Sequence, residues 1–86
     1  MANHASAEKR QRQILKQTER NRHVRTTVRS CVKRARAAIA AGDKGAAEKA
    51  LRVASEAIDK AVSKGVYHRR TGSRYISRLA QGVAGL

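Results

Sequence analysis

No proline occurs anywhere in this 86-residue chain, and none of its six glycines stands before position 42. Both strong helix breakers are therefore missing from residues 1–41, and that run is free to form one uninterrupted helix. Ser6 stands where an N-cap would, with Glu8 against the positive end of the dipole, so the helix is expected over residues 7–41. Gly42 stands where a left-handed residue would end it. Asp43 is then placed to cap a second helix, from about Lys44 to Lys64, which Gly65 ends in turn. A third helix is expected from about His68 to Gln81, weakened by Gly72 and fraying near Gly82 and Gly85. β-Branched residues are scattered and never alternate with polar ones, which argues against strands.

Apolar spacing agrees with three helices. Val24, Val28, Cys31, Val32, Ala35, Ala38 and Ile39 recur at helical intervals in the first. Ala47, Ala50, Leu51, Ala54, Ala57, Ile58, Ala61 and Val62 do so in the second, and Tyr75, Ile76, Leu79, Ala80 and Val83 in the third. Short loops join consecutive helices as antiparallel neighbours, so the expected fold is all-α: an antiparallel three-helix bundle with an overlong, protruding N-terminal helix. At 1.5 Å per residue the first helix would span about 52 Å and the second about 30 Å. Before Val24 only Ile14 and Leu15 are sizeable apolar residues. Residues 1–23 are accordingly read as a basic helical extension that needs an external partner to order it, and residues 24–86 as the bundle, within a single domain.

The core is thin. Ala supplies sixteen of the 35 hydrophobic residues, Leu, Ile and Val together only fifteen, and there is neither Phe nor Trp. Such material does not build a deep active-site pocket. No apolar run approaches the roughly 18–20 residues of a membrane span, and a single cysteine cannot form an internal disulfide, which fits a reducing, cytoplasmic setting. The net charge of +14 points instead to an anionic partner. It is unevenly spread: residues 1–36 carry +9, residues 37–63 carry zero, and residues 64–86 carry +5. A polycation without a fold needs no neutral middle, so the partition implies one face turned away from the ligand.

On a helical wheel Arg22, Arg25, Arg29, Lys33 and Arg36 fall within an arc of about 80°, centred about 120° from the apolar stripe. Like charges at this spacing each cost a few tenths of a kcal/mol, so the ridge opposes folding until counter-charge arrives. Lys44, Glu48, Arg52, Glu56 and Lys60 step by four with alternating sign, which reads as an ion-pair ladder on an exposed face directed away from the anion. Single sign returns in the third helix with Arg69, Arg70, Arg74 and Arg78, preceded by His68, a phosphate contact or helix cap. Lys9, Arg10, Arg12 and Lys16 extend the basic surface along the N-terminal segment.

Catalysis finds no support in these residues. His4, His23 and His68 are far apart, none is expected to pair with Cys31 or with a carboxylate at a helical neighbour spacing, and Cys31 falls within the apolar stripe as a small core residue. No metal-ligand cluster, Gly-rich phosphate loop or nucleophile motif is present, so no metal and no cofactor are expected. Tyr67 and Tyr75, the only aromatics, are too few for a single-strand stacking platform and are read as packing residues. Thirteen of the twenty cations are Arg, which suits bidentate phosphate contact. The expected mode is recognition of folded, helical RNA through phosphate and sugar. Duplex DNA bound in histone fashion remains the alternative, and an acidic protein a third partner class. A membrane-active amphipathic peptide would need a larger apolar face than Ile14 and Leu15 provide along residues 7–23.

Several short segments resemble one family, the bacterial small-subunit ribosomal protein S20. The opening Met1-Ala2-Asn3, Ser6-Ala7 and Lys9-Arg10 resemble its N-terminus; Asn21, Arg25, Thr26, Arg29 and Lys33-Arg34 resemble its basic mid-helix pattern. Ala38-Ile39, Gly42-Asp43, Lys64-Gly65-Val66 and His68-Arg69 resemble its two turns, and Arg74 and Ser77-Arg78-Leu79 its third helix. The resemblance covers essentially the whole chain. It implies a long first helix in a three-helix bundle and a non-enzymatic protein that joins the small subunit early. It further implies direct binding to 16S ribosomal RNA, bridging the 5′ domain and the long 3′ minor-domain helix, with no membrane association and no homo-oligomer. Arg70 stands where the family usually has Asn, and Gly72-Ser73 where it usually has two Ala, which implies a less stable third helix.

Overall fold

The computed structural model describes residues 2–86, with side-chain surroundings from His4 onward; the Met1–Asn3 opening that carries part of the resemblance lies largely outside that description. The chain forms three helices, α1 (Ala2–Ala40), α2 (Lys44–Ser63) and α3 (Arg69–Ala84), with no strand among the described residues. All three pack against one another, in an antiparallel bundle joined by two short turns.

Both turns are built by local chemistry. Among the described residues Gly42 and Gly65 are the two with positive φ, at 74° and 76°, where a side chain would be strained. After α2 the Gly65 amide donates to the Val62 carbonyl and the Val66 amide to that of Ala61, each at 3.0 Å, the paired bonds of a Schellman end. The Asp43 carboxylate accepts from the Ala46 amide at 3.2 Å and starts α2. His68 starts α3 through its Nδ1, which accepts from the Arg70 amide at 3.1 Å. His68 is thus the cap rather than the first helical residue.

Three expectations about helix ends and charge need correction. Ser6 is not a cap: α1 is already helical from Ala2, and a cap preference of about 1 kcal/mol does not halt a run containing Ala2, Ala5 and Ala7. The third helix does not stop at Gln81 but continues through Gly82 to Ala84, because Gly82 lies against Ile39 of α1 and is held there by packing. The ladder on α2 is exposed as expected, yet its charges do not close into ion pairs; the pair present among the described residues is instead His4–Glu8, at 3.2 Å and four residues apart, a spacing at which no histidine was expected to meet a carboxylate. Long exposed side chains lose too much rotamer freedom for such pairs to be held.

The core follows the expected stripes. Val24, Val28, Cys31, Val32 and Ala35 of α1 are buried with Ala54, Ile58 and Ala61 of α2 and Leu79 of α3. Ile58 is the largest side chain that is fully enclosed. Gly72, expected to weaken α3, is buried at the α2–α3 crossing. A Cβ there would stand 2.7 Å from Val62 Cγ2 and 3.2 Å from Ile58 Cγ2. Its missing side chain is what lets α3 lie this close to α2.

The bundle occupies only part of the molecule. Residues 4–20 are exposed along their whole length, and burial begins with Asn21 and Val24. Ile14 and Leu15 remain 53% and 61% exposed, with no element of this chain to cover them. The molecule consequently measures 64 × 20 × 14 Å, and its radius of gyration of 17.5 Å exceeds the value of about 12 Å expected for a compact domain of this length. None of the helices, among the described residues, is long and apolar enough to cross a membrane.

Candidate nucleic-acid interface

The cationic ridge of α1 runs beside the core seam because a helix turning 100° per residue places it there. Val28 and Val32 point into the bundle, while Arg25, Arg29, Lys33 and Arg36 emerge along its margin. These four cations line an open groove of about 500 Å³ between α1 and α3. Val28 and Val32 contribute apolar surface to it, and Tyr67 and Tyr75 complete it from the second turn and α3. The two tyrosine rings meet edge to face, with centroids 6.1 Å apart and planes at 80°. Both rings are half-buried and pack on the core cluster.

Charge in this groove is uncompensated. Among the described residues no carboxylate oxygen lies within 4.0 Å of Arg25, Arg29, Lys33 or Arg36. The acidic residues of α2 and its cap, Asp43, Glu48, Glu56 and Asp59, are all exposed on a different helix. Four cations stepping along one helix at three- and four-residue intervals can each meet a different phosphate of a passing strand. The arrangement offers no acid–base pair, no nucleophile beside a base, and, among the described residues, no group of His, Cys, Asp and Glu that could hold a metal.

The remaining expected contacts are distributed more widely. Arg22 is exposed about one turn before the groove. Lys9, Arg10, Arg12 and Lys16 are exposed on the unpartnered part of α1, Arg12 beside Glu8 and Leu15, and Arg10 and Lys16 around Ile14. Arg70, Arg74 and Arg78 are exposed on α3, on the helical face opposite Leu79 and Val83, so they extend outward from the groove rather than into it. Arg69 is turned to the opposite side, lining a shallow depression with Asp59 of α2. His68 uses one ring nitrogen as a cap. The lining contributed by Tyr67 and Tyr75 was not foreseen. The signal available was the position of Tyr75 on the α3 wheel, between the apolar stripe and Arg78.

An all-helical bundle with one unopposed basic ridge, a second helix whose charge balances once its Asp43 cap is included, and a protruding basic arm is the form of a polyanion-binding protein. Comparison with known proteins narrows this class. The family described as ribosomal protein S20 matches residues 2–84. A small ribosomal subunit protein bS20 of Anaeromyxobacter sp. (strain Fw109-5) is 56% identical over 84 residues, covering 98% of this chain and 93% of that protein. Proteins of the same description from Campylobacter jejuni (strain 81-176) and Geotalea daltonii are each 54% identical, covering 93% and 96% of this chain and 92% and 95% of their own lengths. The chain belongs to the ribosomal protein S20 family.

Proposed function

We propose that this protein is a structural constituent of the small ribosomal subunit that binds 16S ribosomal RNA directly, through backbone phosphate and sugar, and helps the RNA to assemble in the cytoplasm. The observation that carries the reading is the row of Arg25, Arg29, Lys33 and Arg36 along an open groove, with no carboxylate among the described residues within 4.0 Å. Such a row remains self-repelling until an external polyanion supplies counter-charge. The family resemblance extends the reading to a bridge between the 5′ domain and the long 3′ minor-domain helix. Residues 1–23 would act as the arm that reaches beyond the bundle, ordered by RNA, and residues 24–86 as the body.

The test is binding to a 16S ribosomal RNA transcript over a range of salt. Neutralisation of about eight phosphates gives a log–log slope of about −6 to −7. Arg25→Glu with Arg29→Glu is expected to flatten the slope and weaken binding far more than Lys44→Glu with Lys60→Glu on the opposite surface. Equal losses would contradict the facing assigned to the groove. Competition with random duplex DNA at fixed salt separates this reading from a histone-like one, since a DNA-packaging protein would not prefer the structured RNA.

A further inference from the structure

The α1–α3 groove has a second chemical character besides charge. Its rim is cationic, but its wall is made of Val28, Val32 and the rings of Tyr67 and Tyr75. A regular RNA helix presents phosphate, ribose and base edges to such a surface, while its base faces stay stacked inside. The rim alone would serve that ligand, and an aromatic wall would contribute nothing to it. The groove volume of about 500 Å³ falls within the range of pockets that enclose a small ligand. In an edge-to-face pair, moreover, one ring's edge covers one face of the other, which leaves more ring face uncovered than mutual stacking would. Cations at 25, 29, 33 and 36 around an apolar, aromatic wall match one chemical object: a nucleotide whose phosphates stay outside and whose flat base turns inward.

We propose that the Tyr67–Tyr75 groove receives a single unpaired nucleobase, extruded from an otherwise helical RNA whose flanking phosphates are held by Arg25, Arg29, Lys33 and Arg36. The inference rests on the RNA-binding reading above and deepens it. Phosphate contacts along α1 give affinity but carry no sequence information directly. The tyrosine wall adds preference for a bulge over an unbroken duplex, and so sets the register of the protein along the RNA.

The chain provides its own reporter, since Tyr67 and Tyr75 are its only aromatic residues. All tyrosine emission therefore comes from the groove. The full-length protein is titrated with two RNA hairpins of equal length and absorbance, one fully paired and one carrying a single bulged adenosine. The bulged hairpin is expected to bind about tenfold more tightly and to quench the emission, while the paired hairpin binds with the same salt slope and quenches little. Tyr75→Leu is expected to abolish the preference, bringing the two hairpins to equal affinity. Equal affinity for both hairpins with unaltered emission overturns the proposal while leaving RNA binding intact. Failure of both to bind in a salt-dependent way overturns the RNA reading and this inference with it. Should Tyr75→Leu not fold, quenching of the unsubstituted protein by the bulged but not the paired hairpin decides the matter alone.

Discussion

Gly72→Ala is a substitution that helix propensity and tertiary packing judge oppositely. Alanine is favoured over glycine inside a helix by about 0.8–1.0 kcal/mol, so propensity alone makes the change stabilising. In the folded chain the added methyl would lie 2.7 Å from Val62 Cγ2 and 3.2 Å from Ile58 Cγ2. Carbon atoms in favourable contact stand about 3.5–4.0 Å apart, so roughly 1 Å must open at Val62. Both neighbours are β-branched residues in a helix, with one strongly preferred χ1, and their methyls do not swing aside freely. Ile58 is fully enclosed and has nowhere to go. Overpacking of this kind costs about 1–3 kcal/mol, which exceeds the propensity gain. The net expectation is a loss of about 1 kcal/mol, a fall in melting temperature of about 4–8 °C.

Thermal unfolding followed by far-ultraviolet circular dichroism at fixed salt measures this directly. Two companions isolate the cause. Gly45→Ala adds a methyl whose nearest neighbour is Asp43 Oδ1 at 3.7 Å, an ordinary contact, and is expected to be neutral or stabilising by up to about 1 kcal/mol. Val62→Ala removes the obstructing methyl, so the Gly72→Ala, Val62→Ala pair is expected to regain stability relative to the sum of the single changes. If Gly72→Ala melts at or above the unsubstituted protein, the close approach does not govern this helix pair. The consequence reaches the groove as well, because the spacing of α3 from α2 sets where Tyr75 stands relative to the cations of α1.

Three further outcomes follow from the same packing. His68→Ala removes the acceptor of the Arg70 amide and is expected to cost about 1 kcal/mol, read from a denaturant midpoint. Ile58→Ala empties a fully enclosed site and is expected to cost about 2–5 kcal/mol, enough to leave much of so small a bundle unfolded near its working temperature. Deletion of residues 2–20 removes side chains that, from His4 onward, are exposed. It is expected to change bundle stability by no more than about 0.5 kcal/mol while markedly weakening and flattening salt-dependent binding to 16S ribosomal RNA. A large drop in unfolding temperature on deletion would show that the arm packs on the bundle.

The number of helices, their order and most of their ends were determined by the sequence alone, because each rests on an interaction that spans a few residues. Gly42 and Gly65 take the left-handed conformation that closes α1 and α2, and Asp43 reaches the Ala46 amide three residues on. The apolar stripes were equally legible, since period 3.6 is a property of one helix at a time: Val24, Val28, Ala54, Ile58 and Leu79 are buried as their spacing implied. The sequence also put five cations within one arc of α1, the part of the candidate site that a single helix can specify.

What only the tertiary structure decided depends on distances between helices. Gly72 reads locally as a weak point and is a point of closest approach, since its neighbours Val62 and Ile58 belong to another helix. Tyr67 and Tyr75 stand on opposite sides of a cap and read separately as packing residues. The fold brings their rings to 6.1 Å and sets both against the α1 ridge, converting a charged stripe into a groove with an aromatic wall. The alternating charges of α2 point the other way: spacing made an ion-pair ladder plausible, but exposed side chains follow solvation and entropy rather than sequence pattern. Local hydrogen bonds and periodicity set the elements, and burial between elements set the site.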